Sequence, residues 1–253
     1  MDLVGPIQTL SLGGKKYIFV MVDDISKFTW VSFLREKSET FLRFKSVCHL
    51  LQKEKMTSHL PLVRIRTDHG SEFENSQFLK FCEEMGIKHE FSAPITPQQN
   101  GVVERKNRIL VEMARVMLNS KNLAKHFWAE AVSTACYISN RVFLRSGTKQ
   151  TPYEIWKGKK PNVSYFRVFG RTCYVLRDRE HLAKFDSKCD KGIFLGYSTS
   201  SRAYRVYNCR TRTIIKSINV NIDDFAGSIE MALDEDGLFP PPLVQESPVC
   251  ARK

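Results

Sequence analysis

The residues from Tyr17 to Val22 form an unbroken apolar run, and those from Phe28 to Leu34 alternate among β-forming types, so both read as strands. Gly13 and Gly14 mark a turn before the first, and Asp23 and Asp24 sit between the two. Residues 2 to 35 thus predict three strands. Residues 38 to 55 switch to helical spacing: Phe41, Phe44, Cys48 and Leu51 share one face, and Ser38 stands where an N-cap belongs. Leu62 to Thr67 is a further strand, Asn75 or Ser76 caps a second helix carrying Phe78, Leu79, Phe81 and Cys82, and His89 to Ser92 is a short strand. The stretch from Ala93 to Gly101, with Pro94 and Pro97, predicts an exposed, mobile loop.

From Glu104 onward the pattern is that of an amphipathic helix. Arg108, Glu112, Arg115, Asn119 and Asn122 share the face of Glu104, while Val103, Ile109, Leu110, Met113 and Met117 lie opposite, so Glu104 points outward along a basic side. A further helix is expected over 126 to 141, with Phe127, Trp128, Ala131, Ala135 and Ile138 apolar, and 148–164 reads as a polar connector. Beyond it the apolar runs shorten. Cys173 to Leu176, Gly192 to Gly196, Ala203 to Tyr207 and Thr213 to Ile218 are short strands separated by turn residues, as in a small β-barrel over 165–225. Residues 226–253 hold five acidic and two basic residues and the run Pro240 to Pro242, and read as a disordered linker. The first 147 residues form the larger unit.

Charge narrows the class of partner. Lys and Arg number 39 against 27 Asp and Glu, a formal charge of +12, which favours a polyanion. A generally basic soluble protein is the competing reading. The seven scattered cysteines never take C-x-x-C spacing, so they suggest reduced thiols in an intracellular protein, with neither a disulfide framework nor a zinc site. No stretch approaches the roughly 20 apolar residues of a membrane span.

Two acidic positions stand out against this background. Asp68 ends a β-run in Arg64-Ile65-Arg66-Thr67-Asp68-His69-Gly70-Ser71-Glu72-Phe73, and Glu104 opens the basic helix in Pro97-Gln98-Gln99-Asn100-Gly101-Val102-Val103-Glu104-Arg105. Thirty-five residues separate them. Mg²⁺ or Mn²⁺ prefers hard oxygen donors, and a phosphoryl-transfer site draws two or three carboxylates from separate elements, often around two ions. A third carboxylate comes from the region before residue 35, where pattern alone leaves Asp2 and the Asp23-Asp24 pair open.

At these segments the chain resembles the integrase of Ty1/copia-type long-terminal-repeat retrotransposons, especially those of plants, and through them other RNase H-like D,D-35-E recombinases. Asp2-Leu3-Val4-Gly5-Pro6 resembles the family's D-x-x-G-P strand, Asp68 to Phe73 its D-x-G-x-E-F segment, and Pro97 to Arg105 its P-Q-x-N-G-V-x-E-R segment. The residues Phe185 to Tyr197 and Ala203 to Asn208 resemble the SH3-like domain that follows the core. The resemblance implies an α/β RNase H-like core with a mixed five-stranded sheet and flanking helices, then an SH3-like β-barrel. It implies Asp2, Asp68 and Glu104 as catalytic residues and ligands of two Mg²⁺ or Mn²⁺ ions, and makes Asp23 and Asp24 hairpin residues. Its chemistry is 3′-end trimming followed by strand transfer of terminal-repeat DNA into target DNA, by a homo-multimer acting in cytoplasmic particles and then the nucleus.

Gln98, Gln99, Asn100, Arg105, Lys106, Arg108 and Arg115 are candidate DNA contacts, each weighed against a turn or a solvated helix face. His69 and Glu72 neighbour Asp68 as supporting groups rather than ligands, and the aromatics of the small domain, Tyr174, Phe194, Tyr197, Tyr204 and Tyr207, read as core filling ahead of base stacking. The family's N-terminal zinc module has no counterpart here, and the strand carrying Asp2 is expected to lack its upstream half, as in a fragment of a Pol polyprotein. The alternatives are a nucleic-acid-binding remnant without catalysis, or another RNase H-like nuclease or transposase.

Overall fold

The computed structural model describes residues 1–56, 62–92, 100–177 and 183–223. The described elements group into two compact units, residues 1–113 with 135–162, and residues 114–134 with 163 onward. This departs from the expected division at residue 147, because contacts rather than chain order set the units.

The first unit begins with three antiparallel strands, β1 (Asp2–Val4), β2 (Tyr17–Val22) and β3 (Thr29–Leu34), in the order β1-β2-β3. Helix α1 (Thr40–Met56) follows a 3-10 turn at Lys37–Glu39. Ser38 does not cap it, since its hydroxyl donates to Glu36 Oε2 at 3.2 Å. Next come β4 (Arg64–Thr67), α2 (Ser76–Glu84) and β5 (Lys88–Phe91), with β4 and β5 paired in parallel. Asn75 is the α2 N-cap, its side chain accepting from the Phe78 N–H. Ile18, Phe19 and Val20 of β2 are almost wholly buried, which explains its unbroken apolar run. Phe19, Phe44, Phe73, Phe78, Phe81 and Ile65 meet in one core, where the Phe44 and Phe78 rings stack at 4.8 Å.

The five expected core strands are all present, in a three-stranded and a two-stranded sheet. Among the described residues no strand ladder joins the two sheets, because β1 pairs with β2 alone. Its register with β2 is complete from Asp2 opposite Val20 to Val4 opposite Ile18, while the Met1 ammonium donates to Arg66 O of β4 at 2.6 Å.

Helices α3 (Gly101–Asn119) and α4 (Trp128–Val142) each contribute to both units. The connector at 148–164 is not wholly irregular: it holds α5 (Pro152–Lys157), opened by a capping box between Thr151 and Glu154 and closed by Gly158 at φ 68°. The Thr-x-x-Glu signal was in the sequence, preceding a short apolar pair rather than a long run. Trp156 of α5 packs edge-on against Trp30, with ring centroids 4.8 Å apart.

In the second unit, β6 (Thr172–Leu176), β7 (Cys189–Tyr197), β8 (Tyr204–Asn208), β9 (Thr213–Ser217) and β10 (Val220–Ile222) form one antiparallel sheet in the order β10-β6-β7-β8-β9. Residues 114–134 pack onto it through Phe127, whose ring meets Tyr207 edge-on at 5.1 Å, and through Glu130, whose carboxylate takes two hydrogen bonds from Arg205 at 2.6 and 2.7 Å. Thr134 Oγ1 donates to Leu195 O at 2.9 Å. Phe194, Tyr197 and Tyr207 are buried, as expected of core filling, and the Tyr204 hydroxyl donates to Tyr165 O at 3.0 Å. The linker expected at 226–253 lies outside the described residues.

Candidate active site

Asp68 follows the last residue of β4, and the turn after it is set by Gly70, whose N–H donates to Asp68 Oδ1 at 3.2 Å. A Cβ on Gly70 would stand 2.9 Å from Glu72 Cδ and 3.2 Å from Asp68 Oδ1, so a glycine lets the Asp68 and Glu72 carboxylates crowd the same spot. Fully buried Phe73 pins this turn to the core, and Glu72 pairs with Lys37 at 3.4 Å. His69 stacks on Phe91 at 5.0 Å and meets Glu74 at 3.2 Å.

Asp2 opens β1 and is half-buried. Its Oδ1 accepts from the Leu3 N–H at 2.8 Å, and its Oδ2 accepts from Asn107 Nδ2 at 2.5 Å. Burial raises the Asp2 pKa above the ordinary carboxylate value; the Asp68 charge adds to the rise, while the Leu3 and Asn107 hydrogen bonds and the chain's ammonium oppose it. Asp2 and Asp68 are therefore close enough to feel each other's charge. The Asp23 and Asp24 alternative falls to the hairpin role: Asp23 Oδ2 accepts from both the N–H and the hydroxyl of Ser26, at 2.7 and 2.6 Å, and Asp24 pairs with Lys27 at 3.2 Å.

Glu104 lies exposed in the first turn of α3, with its N–H donating to Asn100 O at 3.2 Å. The buried stripe of this helix runs through Val103, Asn107, Leu110, Ala114 and Leu118, while Ile109, expected on the side opposite Glu104, is 39% exposed. Asn107 is the residue that sequence reading passed over. It sits one turn beyond Glu104, and its signal was a polar side chain in an otherwise apolar stripe. Its Oδ1 is buried without a hydrogen-bond partner. Among the described residues no group of three or more His, Cys, Asp and Glu side chains is close enough to hold a metal ion, so Glu104 does not join the Asp2 and Asp68 pair here.

The candidate DNA contacts divide. Arg105, Arg108 and Arg115 are exposed on α3. Lys106 turns inward instead: its Nζ donates to Ser139 Oγ of α4 at 3.0 Å, and burial lowers its pKa. Asn100 is buried, its carbonyl receiving the first N–H groups of α3, and is no exposed loop residue. Gln98 and Gln99, with the rest of the expected mobile loop over 93–99, lie outside the described residues.

A family model described as integrase core domain matches residues 1–97, and one described as retroviral polymerase SH3-like domain matches residues 171–228. The Pol polyprotein of transposon TNT 1-94 from Nicotiana tabacum is 36% identical over 219 residues, 87% of this chain and 16% of the relative. The chain belongs to the retrotransposon integrase family. That is a family of polynucleotidyl transferases, and this integrase segment carries both its core and its SH3-like domain. The Pol polyprotein of transposon RE1 from Arabidopsis thaliana is 32% identical over 218 residues, 85% of the integrase segment and 14% of that relative. The segment thus spans 14 to 16% of the length of these two relatives. Among solved structures it is similar to the HTLV-2 integrase catalytic core domain in complex with magnesium, at 25% identity and TM-score 0.46, over 61% of this chain and 91% of that one. Among the described residues no helix is long and apolar enough to cross a membrane.

Proposed function

We propose that this chain integrates retrotransposon DNA, trimming the 3′ ends of terminal-repeat DNA and joining them to target DNA at a divalent-metal site formed by Asp2, Asp68 and Glu104. The observation that carries the reading is the hydrogen bond to Asp2 from Asn107 of the helix that bears Glu104, with the Asp68 charge acting on the same carboxylate. The donor chemistry fits Mg²⁺ or Mn²⁺: the Asp68 charge helps raise the Asp2 pKa, a repulsion a cation would relieve, and all donors are hard oxygens. One such ion, or two, supplies charge stabilisation for an in-line displacement at phosphorus.

The chain's own groups hold and aim. Asp2 and Asp68 form the standing part of the site, and Glu104 completes it when DNA lies along α3. Asn107 fixes the Asp2 carboxylate through Oδ2. Arg105 and Arg108 meet phosphates, positioning the strand without reading its sequence. Water attacks first, then the freed 3′-hydroxyl attacks a target phosphodiester, and no covalent protein intermediate is needed. The assembly on two DNA ends is a homo-multimer, acting in the nucleus.

Strand transfer with a short terminal-repeat duplex and a plasmid target, in Mg²⁺ and in Mn²⁺, tests the reading. Joined products are expected, and Asp68→Asn or Glu104→Gln removes them while DNA affinity stays within about twofold; an equal loss of binding sinks the metal-site assignment. A second reading, DNA binding without catalysis, draws on the lack of a three-donor cluster among the described residues. DNA binding with no joined product in either metal would establish it.

A further inference from the structure

Strand β4 has two unlike faces. Ile65 and Thr67 are buried, while Arg64, Arg66 and then Asp68 alternate with them on the other side. The parallel register sets Lys88 of β5 beside Arg64 and Glu90 beside Arg66, so four charged side chains share that face. They converge on Glu90: Arg64 Nη1 and Lys88 Nζ each lie 3.2 Å from its Oε1, and Arg66 Nη2 donates to its Oε2 at 3.3 Å. The Lys88 hydrogen bond first, then the Arg66 hydrogen bond and the Arg64 charge, keep the Glu90 carboxyl below its ordinary pKa against the opposing effect of desolvation, so it is ionised at neutral pH. Three cations against one carboxylate leave this face with an excess of two positive charges. Joining two strands does not need that excess. The cation side chains are 41 to 65% exposed, and ion pairs so exposed add little stability.

We propose that this face of β4 and β5 is a phosphate track for the DNA strand that runs into the Asp68 site, with Arg66 on the phosphate next to the reacting one and Arg64 and Lys88 together on the phosphate beyond it. This rests on the DNA reading above and adds to it a second cationic element besides α3. Residues two apart in a strand stand about 6.7 Å apart, comparable to the distance between neighbouring phosphates of one DNA strand. The alternation of Arg64, Arg66 and Asp68 therefore runs in step with a sugar-phosphate backbone. Guanidinium groups suit phosphate because several N–H donors lie in one plane, and each arginine gives a single terminal nitrogen to Glu90. Glu90 keeps three like charges together until phosphates take them. Contacts of this kind position a strand without reading its bases.

The test measures the affinity of the full chain for a labelled terminal-repeat duplex by polarisation, across a salt series and without divalent metal. Replacing Arg64, Arg66 and Lys88 together by Gln should flatten the logarithmic salt dependence by about two and weaken binding about tenfold at low salt. Where that triple variant fails to fold, Arg64→Gln with Lys88→Gln is read in the same way, with a slope change of about one. Glu90→Gln breaks the same ion pairs but removes the negative charge from the face, and should tighten binding. Methylphosphonates at the two phosphates beside the reacting one, placed on one flank and then on the other, should weaken the parent chain on one flank only and leave the triple variant unaffected there. An unchanged slope in the cation variants overturns the proposal, as does weaker binding by Glu90→Gln, which would make the cluster a staple between β4 and β5. Equal weakening of parent and triple variant by the methylphosphonates overturns it too, leaving general electrostatic attraction. A chain that binds along this face yet joins no ends fails the integration reading alone, and one that joins ends with an unchanged slope fails the track alone.

Discussion

Asn107 shows how a single buried side chain links two carboxylates that are far apart in sequence. Its amide nitrogen reaches Asp2 Oδ2 at 2.5 Å, and its place in α3 ties that contact to the helix of Glu104. Asn107→Ala should lower strand transfer about 10- to 100-fold, the scale seen when a group orienting a metal ligand is removed, with DNA affinity unchanged in a filter or polarisation assay. Lys106 is the opposite case, a cation that composition assigns to DNA and packing assigns to Ser139. Gly196 is a residue whose identity the fold dictates: at φ 122° a Cβ would collide with Thr134 Oγ1, the group that donates to Leu195 O. Gly196→Ala should therefore destabilise the second unit by about 1–3 kcal/mol, read from denaturant midpoints.

Elements are held by local chemistry that was partly legible. The Thr151 and Glu154 capping box sets the start of α5, and Thr151→Ala should cost about 1 kcal/mol. Asp190 in β7 is a tertiary feature, because its partners come from other strands and turns: Arg177, Asn208 and Arg210 all donate to its nearly buried carboxylate. Burial by itself would raise its pKa, but these hydrogen bonds and the Arg177 charge outweigh it and hold the carboxyl at about 2. A folded value below the unfolded one means stabilisation that is full above the ordinary carboxylate range and disappears as pH falls from about 4 to about 2. Its size is about 2 kcal/mol. Denaturation of the chain and of Asp190→Asn across that range should show the stability gap narrowing with acid; a constant gap would remove Asp190 from the titration.

On the scale of the whole molecule, internal ion pairs leave the net charge of +12 unchanged but decide which cations face a polyanion. Arg177 and Arg210 are spent on Asp190, and Arg205 on Glu130. The last pair fastens residues 114–134 to the small sheet, and a double-mutant cycle with Glu130→Ala and Arg205→Ala should return a coupling on the order of 1–2 kcal/mol. DNA affinity should fall linearly with salt on logarithmic axes, and replacing Arg105 and Arg108 by Ala should reduce that slope by about two.

The sequence by itself determined the strands and helices with strong periodicity, the two acidic segments around Asp68 and Glu104, and the family, because these depend on local spacing and residue type. Boundaries shifted by a residue or two, as at α1, expected from Ser38 and found from Thr40 after a 3-10 turn. Tertiary structure alone decided which residues of α3 face inward, that 114–134 belong with the small sheet, and that Asn107 meets Asp2 across 105 positions. Such pairings depend on which surfaces bury each other, a property of contacts distant in the chain that no window of neighbouring residues contains.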